Sequence, residues 1–157
     1  MNCSASSLHP FSPSLAHGAR WRPGLAKGAL HNEVFACSRE ASGAGLALAL
    51  AHDALSHAPC AAAQEAEDRR FVLWVQDRTA IRLGGRPYRP GLPPWLQARL
   101  IHVAADKPED ALFALEEGLR CRDLACVIGE IAGNPRALDF TALRRLTLAA
   151  EKQGGPL

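Results

Sequence analysis

One loop of small residues and two acids stand where phosphate chemistry would place its groups. Residues 37–50 read CSREASGAGLALAL, a short glycine-containing stretch that follows HNEVFA and enters an Ala/Leu-rich segment. A loop between a strand and a helix is where phosphates bind, because helix N-terminal N–H groups and the macrodipole favour an anion. In the G-x-x-x-x-G-K-[ST] pattern the lysine reaches the β- and γ-phosphates and the hydroxyl holds magnesium. With Gly43 as the second glycine, Ser38 stands at the first, Ala44 at the lysine and Gly45 at the Ser/Thr. Such a loop keeps a strand-turn-helix shape and lacks both the cation and the metal ligand.

The acids stand at the ends of apolar runs. Asp77 follows FVLWVQ (71–76) and Glu130 follows LACVIG (124–129). In a doubly wound sheet, ligands sit at the carboxyl ends of strands. Glu130 could hold magnesium there and Asp77 could act as a base toward water. Acids at strand ends also serve, in any α/β protein, as solvated groups or as caps of the next turn. The missing lysine favours that second reading, since nothing in the loop offsets triphosphate charge.

These positions need elements to hold them. Glu33–Cys37 (EVFAC) is expected as a first strand and Gly43–His57 as a helix whose stripe is Leu46, Leu50 and Ala54. FVLWVQ, Leu100–Ala104 (LIHVA) and LACVIG lack alternation, as parallel strands covered on both faces do. Asp77–Pro94 is rich in glycine and proline and is expected as loop, with one turn near Trp95–Arg99. Asp106, Pro108 and Glu109 signal a helix start with Asp106 as N-cap, and Asp139 is expected to cap a last helix, Phe140–Gln153. Alternating strands and helices imply an α/β fold with a mostly parallel sheet.

The 157 residues suit one domain, and a net charge of +2 excludes a bulk polycation. Five cysteines without a C-x-x-C pair argue against a disulfide framework and fit a reducing compartment. No apolar run approaches the roughly 20 residues of a membrane span. Residues 1–27 are expected as a disordered leader and 28–157 as the folded domain; the leader's lack of acids also suits a transit peptide, but Pro10, Pro13 and Pro23 interrupt any amphipathic helix. One further stretch, Arg78–Arg99, holds five arginines, Tyr88 and Trp95 and no acid. Arginines interleaved with aromatics suit single-stranded nucleic acid, with Arg82, Arg86, Tyr88, Arg89 and Trp95 as candidate contacts to DNA or a protein. The alternative is a proline-stiffened surface loop anchored by its aromatic rings.

Seven pieces in order carry a resemblance: GALHNEVFA, SGAGLALALA, FVLWVQ, GRPYRPGL, DALFALEEGLRC, DLACVIGEI and ALDFTALRRLTLAAEKQG. Together, over roughly residues 24–157, they resemble the ImuA family of RecA-like bacterial proteins of SOS mutagenesis. The family usually sets a histidine and a glutamate side by side in the first strand; here Asn32 stands between His31 and Glu33. The resemblance implies a three-layer RecA-like core of the P-loop NTPase type with a degenerate phosphate loop. Asp77 then falls where RecA proteins place the acid that polarises water, and Glu130 or its neighbour falls at the metal-side acid. It also implies a cytoplasmic, non-catalytic adaptor in translesion DNA synthesis, without cofactor or metal. Its implied partners are an inactive Y-family polymerase homologue of the ImuB type, an error-prone replicative-type DNA polymerase and RecA, with weak DNA contact at most. Family members continue into a further strand and tail, so the chain is expected to be incomplete at its C-terminus. Two other readings stand beside this one: an atypical ATPase that takes its cation from Arg39 or a neighbouring subunit, and a nonfunctional fragment.

Overall fold

A computed structural model describes residues 31–37, 42–56 and 70–153. The leader, Ser38, Arg39 and residues 154–157 lie outside the described residues. Helix α1 (Ser42–Ser56) precedes strand β1 (Phe71–Asp77), which runs directly into α2 (Arg78–Gly84). A short turn of helix, α3 (Pro94–Gln97), leads to β2 (Leu100–Ala105), α4 (Pro108–Arg120), β3 (Leu124–Glu130) and α5 (Phe140–Gln153). The three strands form one parallel sheet in the order β2-β1-β3.

The central strand explains the layering. From Val72 to Asp77 β1 is buried throughout, so both of its faces need cover. Leu73 and Val75 point to the side on which Leu112, Leu115 and Leu119 of α4 and Leu146 and Ala150 of α5 pack. Val72 and Trp74 point to the other, against Ala51 of α1 and Leu96 of α3. The continuous apolar run in the sequence reports this two-sided burial.

Gly118 sets how closely α4 lies on the sheet. A Cβ added there would run into Leu73 of β1 and would also touch Leu124 and Val127. Gly85 is needed for a turn instead. It ends α2 at φ 80°, donating its N–H to the Ile81 carbonyl at 2.9 Å. A side chain is strained in that conformation.

Several expectations are corrected. Glu33–Cys37 makes no ladder with the sheet, and Phe35 is 91% exposed. Two large apolar residues among polar ones give that segment too little to bury; it is tied down at its ends instead, by His31 Nδ1 on Thr147 Oγ1 at 2.7 Å and by Ala36 against Gly43. Residues 78–84 are helix rather than loop, because Asp77 caps them and the helix-breaking glycines and prolines lie beyond. On α1 the inward stripe is Ala44, Ala47, Leu48, Ala51 and Leu55, while Leu46 is half exposed. Its small residues let the helix lie close over Trp74. The α4 cap is Lys107, not Asp106: Pro108 takes N1, where its missing N–H costs nothing, and the Asp106 carboxylate is held by Arg78. Asp139 does cap α5, accepting from the Ala142 N–H at 2.8 Å.

Gly118→Ala tests the packing account. Helix propensity alone would stabilise the variant by about 0.8–1 kcal/mol. Overpacking against Leu73 costs about 1–3 kcal/mol, so a net loss is expected in urea melts. A more stable variant would show that α4 does not need the glycine to approach.

Candidate functional site

The carboxyl ends of the three strands meet in one polar cluster, and its centre is Gln76 of β1. This side chain is 2% exposed. Its Nε2 donates to Glu130 Oε2 of β3 at 2.8 Å and to the Gly85 carbonyl at 3.0 Å. Both are obligate acceptors, so the carboxamide orientation is fixed and Oε1 must face His102 of β2, 2.9 Å away. An oxygen there requires a donor, which makes His102 Nε2 the protonated nitrogen and leaves Nδ1 as an acceptor. One amide thereby joins all three strands.

Glu130, half-buried, is held by the same cluster. Its Oε2 also accepts from Trp74 Nε1 at 3.3 Å, and a Cβ on Gly84 would sit 3.3 Å from its Oε1. The α2–Gly85 turn therefore folds back over the carboxylate. Asp77, equally buried, accepts from the Ala80 N–H at 2.6 Å and from the Ala132 N–H at 3.4 Å. It caps α2, which is what places Gly85 over Gln76. Both acids are thus engaged as acceptors within the fold.

The electrostatics follow. Burial, and then the nearby Arg86 guanidinium, lower the His102 pKa below its ordinary 6.5, with Glu130 opposing them in part. Neutral imidazole is the form that Gln76 holds. Gln76 cannot pass a proton between His102 and Glu130 as a carboxylate or water would, so the cluster positions groups rather than relaying protons. Among the described residues no group of three or more His, Cys, Asp or Glu could hold a metal ion. Cys126 is a core thiol pushed up to about 12 by burial, whereas Cys37 and Cys121 are exposed.

The expected phosphate loop is only partly described. Gly43 is where the chain passes close to itself: a Cβ there would lie 2.7 Å from that of Ala36. Gly45 faces open space, and Ala44 packs on the Trp74 face of the sheet. Ser38 lies outside the described residues.

The arginine-aromatic stretch divides into two sets. Trp95 lies 5.3 Å from the His52 ring and under the Arg99 guanidinium at 5.5 Å, a loop anchor. Arg89 donates to the Leu100 carbonyl at 2.9 Å and Arg78 pairs with Asp106. Arg82, Arg86 and Tyr88 face solvent, Tyr88 being 74% exposed. Sequence reasoning reaches Asp77 and Glu130 and passes over Trp74, Gly85 and His102. A glutamine within an otherwise apolar strand is the available signal, because a buried amide must be given partners.

The sign of the His102 shift gives a pH test. With its folded pKa below 6.5, the unfolded chain binds more protons between the two values, so stability is complete above 6.5 and is lost as pH falls through that window. His102→Gln keeps an N–H for Gln76 and cannot titrate. Its melting temperature should fall less than the parent's between neutral and mildly acid pH. Parallel curves would exclude His102 as the titrating group.

Over 86 residues the chain is 37% identical to Protein ImuA of Caulobacter vibrioides strain NA1000, and equally to Protein ImuA of C. vibrioides strain CB 15. The match covers 54% of this chain and 31% of each relative, so the chain spans about a third of the length of the curated relatives it matches. No family model matches the chain. No solved structure matches it. Over the matched stretch the chain is ImuA-like, in agreement with the resemblance carried by its seven ordered pieces.

Proposed function

We propose that this chain serves damage-induced mutagenesis as a non-catalytic adaptor with a RecA-like core. The likeness to ImuA supports the process. The engagement of the strand-end acids supports the absence of catalysis. Glu130 is held by Trp74 and Gln76, and Asp77 caps α2. A magnesium-dependent hydrolase needs those carboxylates facing metal and water, with a lysine beside the phosphates. Here Ala44 and Gly45 stand at those positions, in the first turn of α1. Freeing Glu130 would strand the Trp74 and Gln76 donors in a buried site, at about 1–3 kcal/mol for each unsatisfied group.

The adaptor would act through an ImuB-type homologue, an error-prone replicative-type polymerase and RecA. The parallel sheet flanked by helices is compatible with such a core, and none of the described helices is long and apolar enough to cross a membrane.

Two measurements decide this reading. Magnesium-ATP titrated calorimetrically should give no saturable heat, and phosphate release should equal the protein-free blank; Ala44→Lys with Gly45→Thr should restore weak binding at best. Turnover that disappears in Glu130→Gln would establish a working ATPase. Immobilised on a column, the chain should retain the ImuB-type protein of its own cell, and retention of nothing would remove the adaptor role.

Arg82, Arg86 and Tyr88 support a second, weaker interaction, with single-stranded DNA. Arg82→Ala with Arg86→Ala should flatten the logarithmic salt dependence of oligo(dT) binding by about 0.7 for each phosphate no longer neutralised. An unchanged slope would make the exposed loop merely structural.

A further inference from the structure

The end of the sheet opposite the Gln76 cluster carries a cavity of about 350 Å³. Its apolar wall includes Leu119, Leu124 and Val127, and Arg70, Arg122 and Lys152 also line it. No carboxylate lines it among the described residues. The three cations come from separate places: the residue before β1, the turn between α4 and β3, and the last turn of α5. Such spacing in sequence means that the fold, not a local charge run, assembles them.

Cations at helix C-termini are ordinarily explained by the macrodipole. One in the last turn meets that need, and Arg120 on α4 and Lys152 on α5 supply it. Arg70 and Arg122 belong to neither helix and exceed it. No described carboxylate pairs with Arg122 or Lys152.

A second cavity, of about 210 Å³, shares Lys152 with the first and continues between α4 and α5. Its character differs. Arg120 and Arg145 are both held by Glu116, and Leu148 is 44% exposed. A nucleic-acid strand following this path would find both arginines already paired with Glu116 and Glu117, and an exposed leucine in place of a phosphate partner. Inorganic phosphate would use the cations and leave the apolar walls wet. A peptide with carboxylates next to a bulky apolar residue fits both halves, its acids at Arg122 and Lys152 and its apolar side chain on Leu148.

We propose that this groove at the amino end of the sheet docks an acidic-apolar peptide segment of a partner protein. Charge complementarity selects the segment and the apolar contact holds it. The proposal deepens the adaptor reading by giving it a docking surface. Its assay involves neither ATP nor the ImuB-type protein, so the two readings fail separately.

The test is fluorescence anisotropy of a fluorescein-labelled peptide of alternating aspartate and leucine, titrated with the whole chain. Saturable binding is expected, weakened on the order of tenfold by Arg122→Glu with Lys152→Glu and also weakened by Leu148→Asp. All three side chains are exposed, and a circular dichroism melt confirms that each variant folds. A peptide of alternating lysine and leucine should not bind. Absence of saturable binding, equal binding to the charge-reversed variant, or displacement by oligo(dT) or by inorganic phosphate would each overturn the proposal.

Discussion

The rest of the structure depends on how the buried central strand ends. Six consecutive residues of β1 are inaccessible, and the fifth of them, Gln76, brings an amide with two donors and an acceptor into that interior. Unsatisfied, each group would cost about 1–3 kcal/mol. The solution draws on every neighbouring element: β2 gives His102, β3 gives Glu130, and the turn after α2 gives the Gly85 carbonyl. Asp77 belongs to the same solution, since capping α2 is what brings the turn back over the strand ends. A single buried amide thus fixes the ends of three strands and one helix.

How much of this the sequence discloses follows from the range of each interaction. The three parallel strands are legible because two-sided burial writes an unbroken apolar run, as in FVLWVQ and LACVIG. The Asp139 cap is legible because capping is local. Asp106 misleads for the same reason: its neighbours fit a cap, and a residue 28 positions away, Arg78, takes the carboxylate. Asp77 offers two readings, a base toward water or a cap of the next turn, and the capping role is harder to see because the capped helix sits in glycine- and proline-rich surroundings. The leucines of α1 suggest its stripe, although alanines can form the packed face wherever a sheet presents a residue as large as Trp74.

Charge is distributed as the layering demands. β1 admits no charge except at its buried carboxyl end, where Asp77 is met by backbone N–H groups. The described cations are therefore pushed to the periphery, at both ends of the sheet. Near the carboxyl end Arg86 acts on His102 from outside the cluster and adds to burial in disfavouring the charged imidazole, while Nε2 remains the donor to Gln76. Near the amino end Arg70, Arg122 and Lys152 line a cavity whose walls are otherwise largely apolar.

That difference bears on what the fold can do. A nucleotide machine needs strand-end carboxylates poised for metal and water, and satisfying them inside the protein removes the means of sensing a ligand. Glu130 is held by Trp74 and Gln76, and Asp77 by the first turn of α2, so both acids have partners inside the fold. With the strand-end polar groups already paired, binding elsewhere on the surface would not require their rearrangement. The exposed side chains lie elsewhere: Arg82, Arg86 and Tyr88 at one end of the sheet, and the cation-lined groove at the other. The adaptor proposed above would draw on that arrangement, with its strand-end acids engaged internally and its contacts made from the surface.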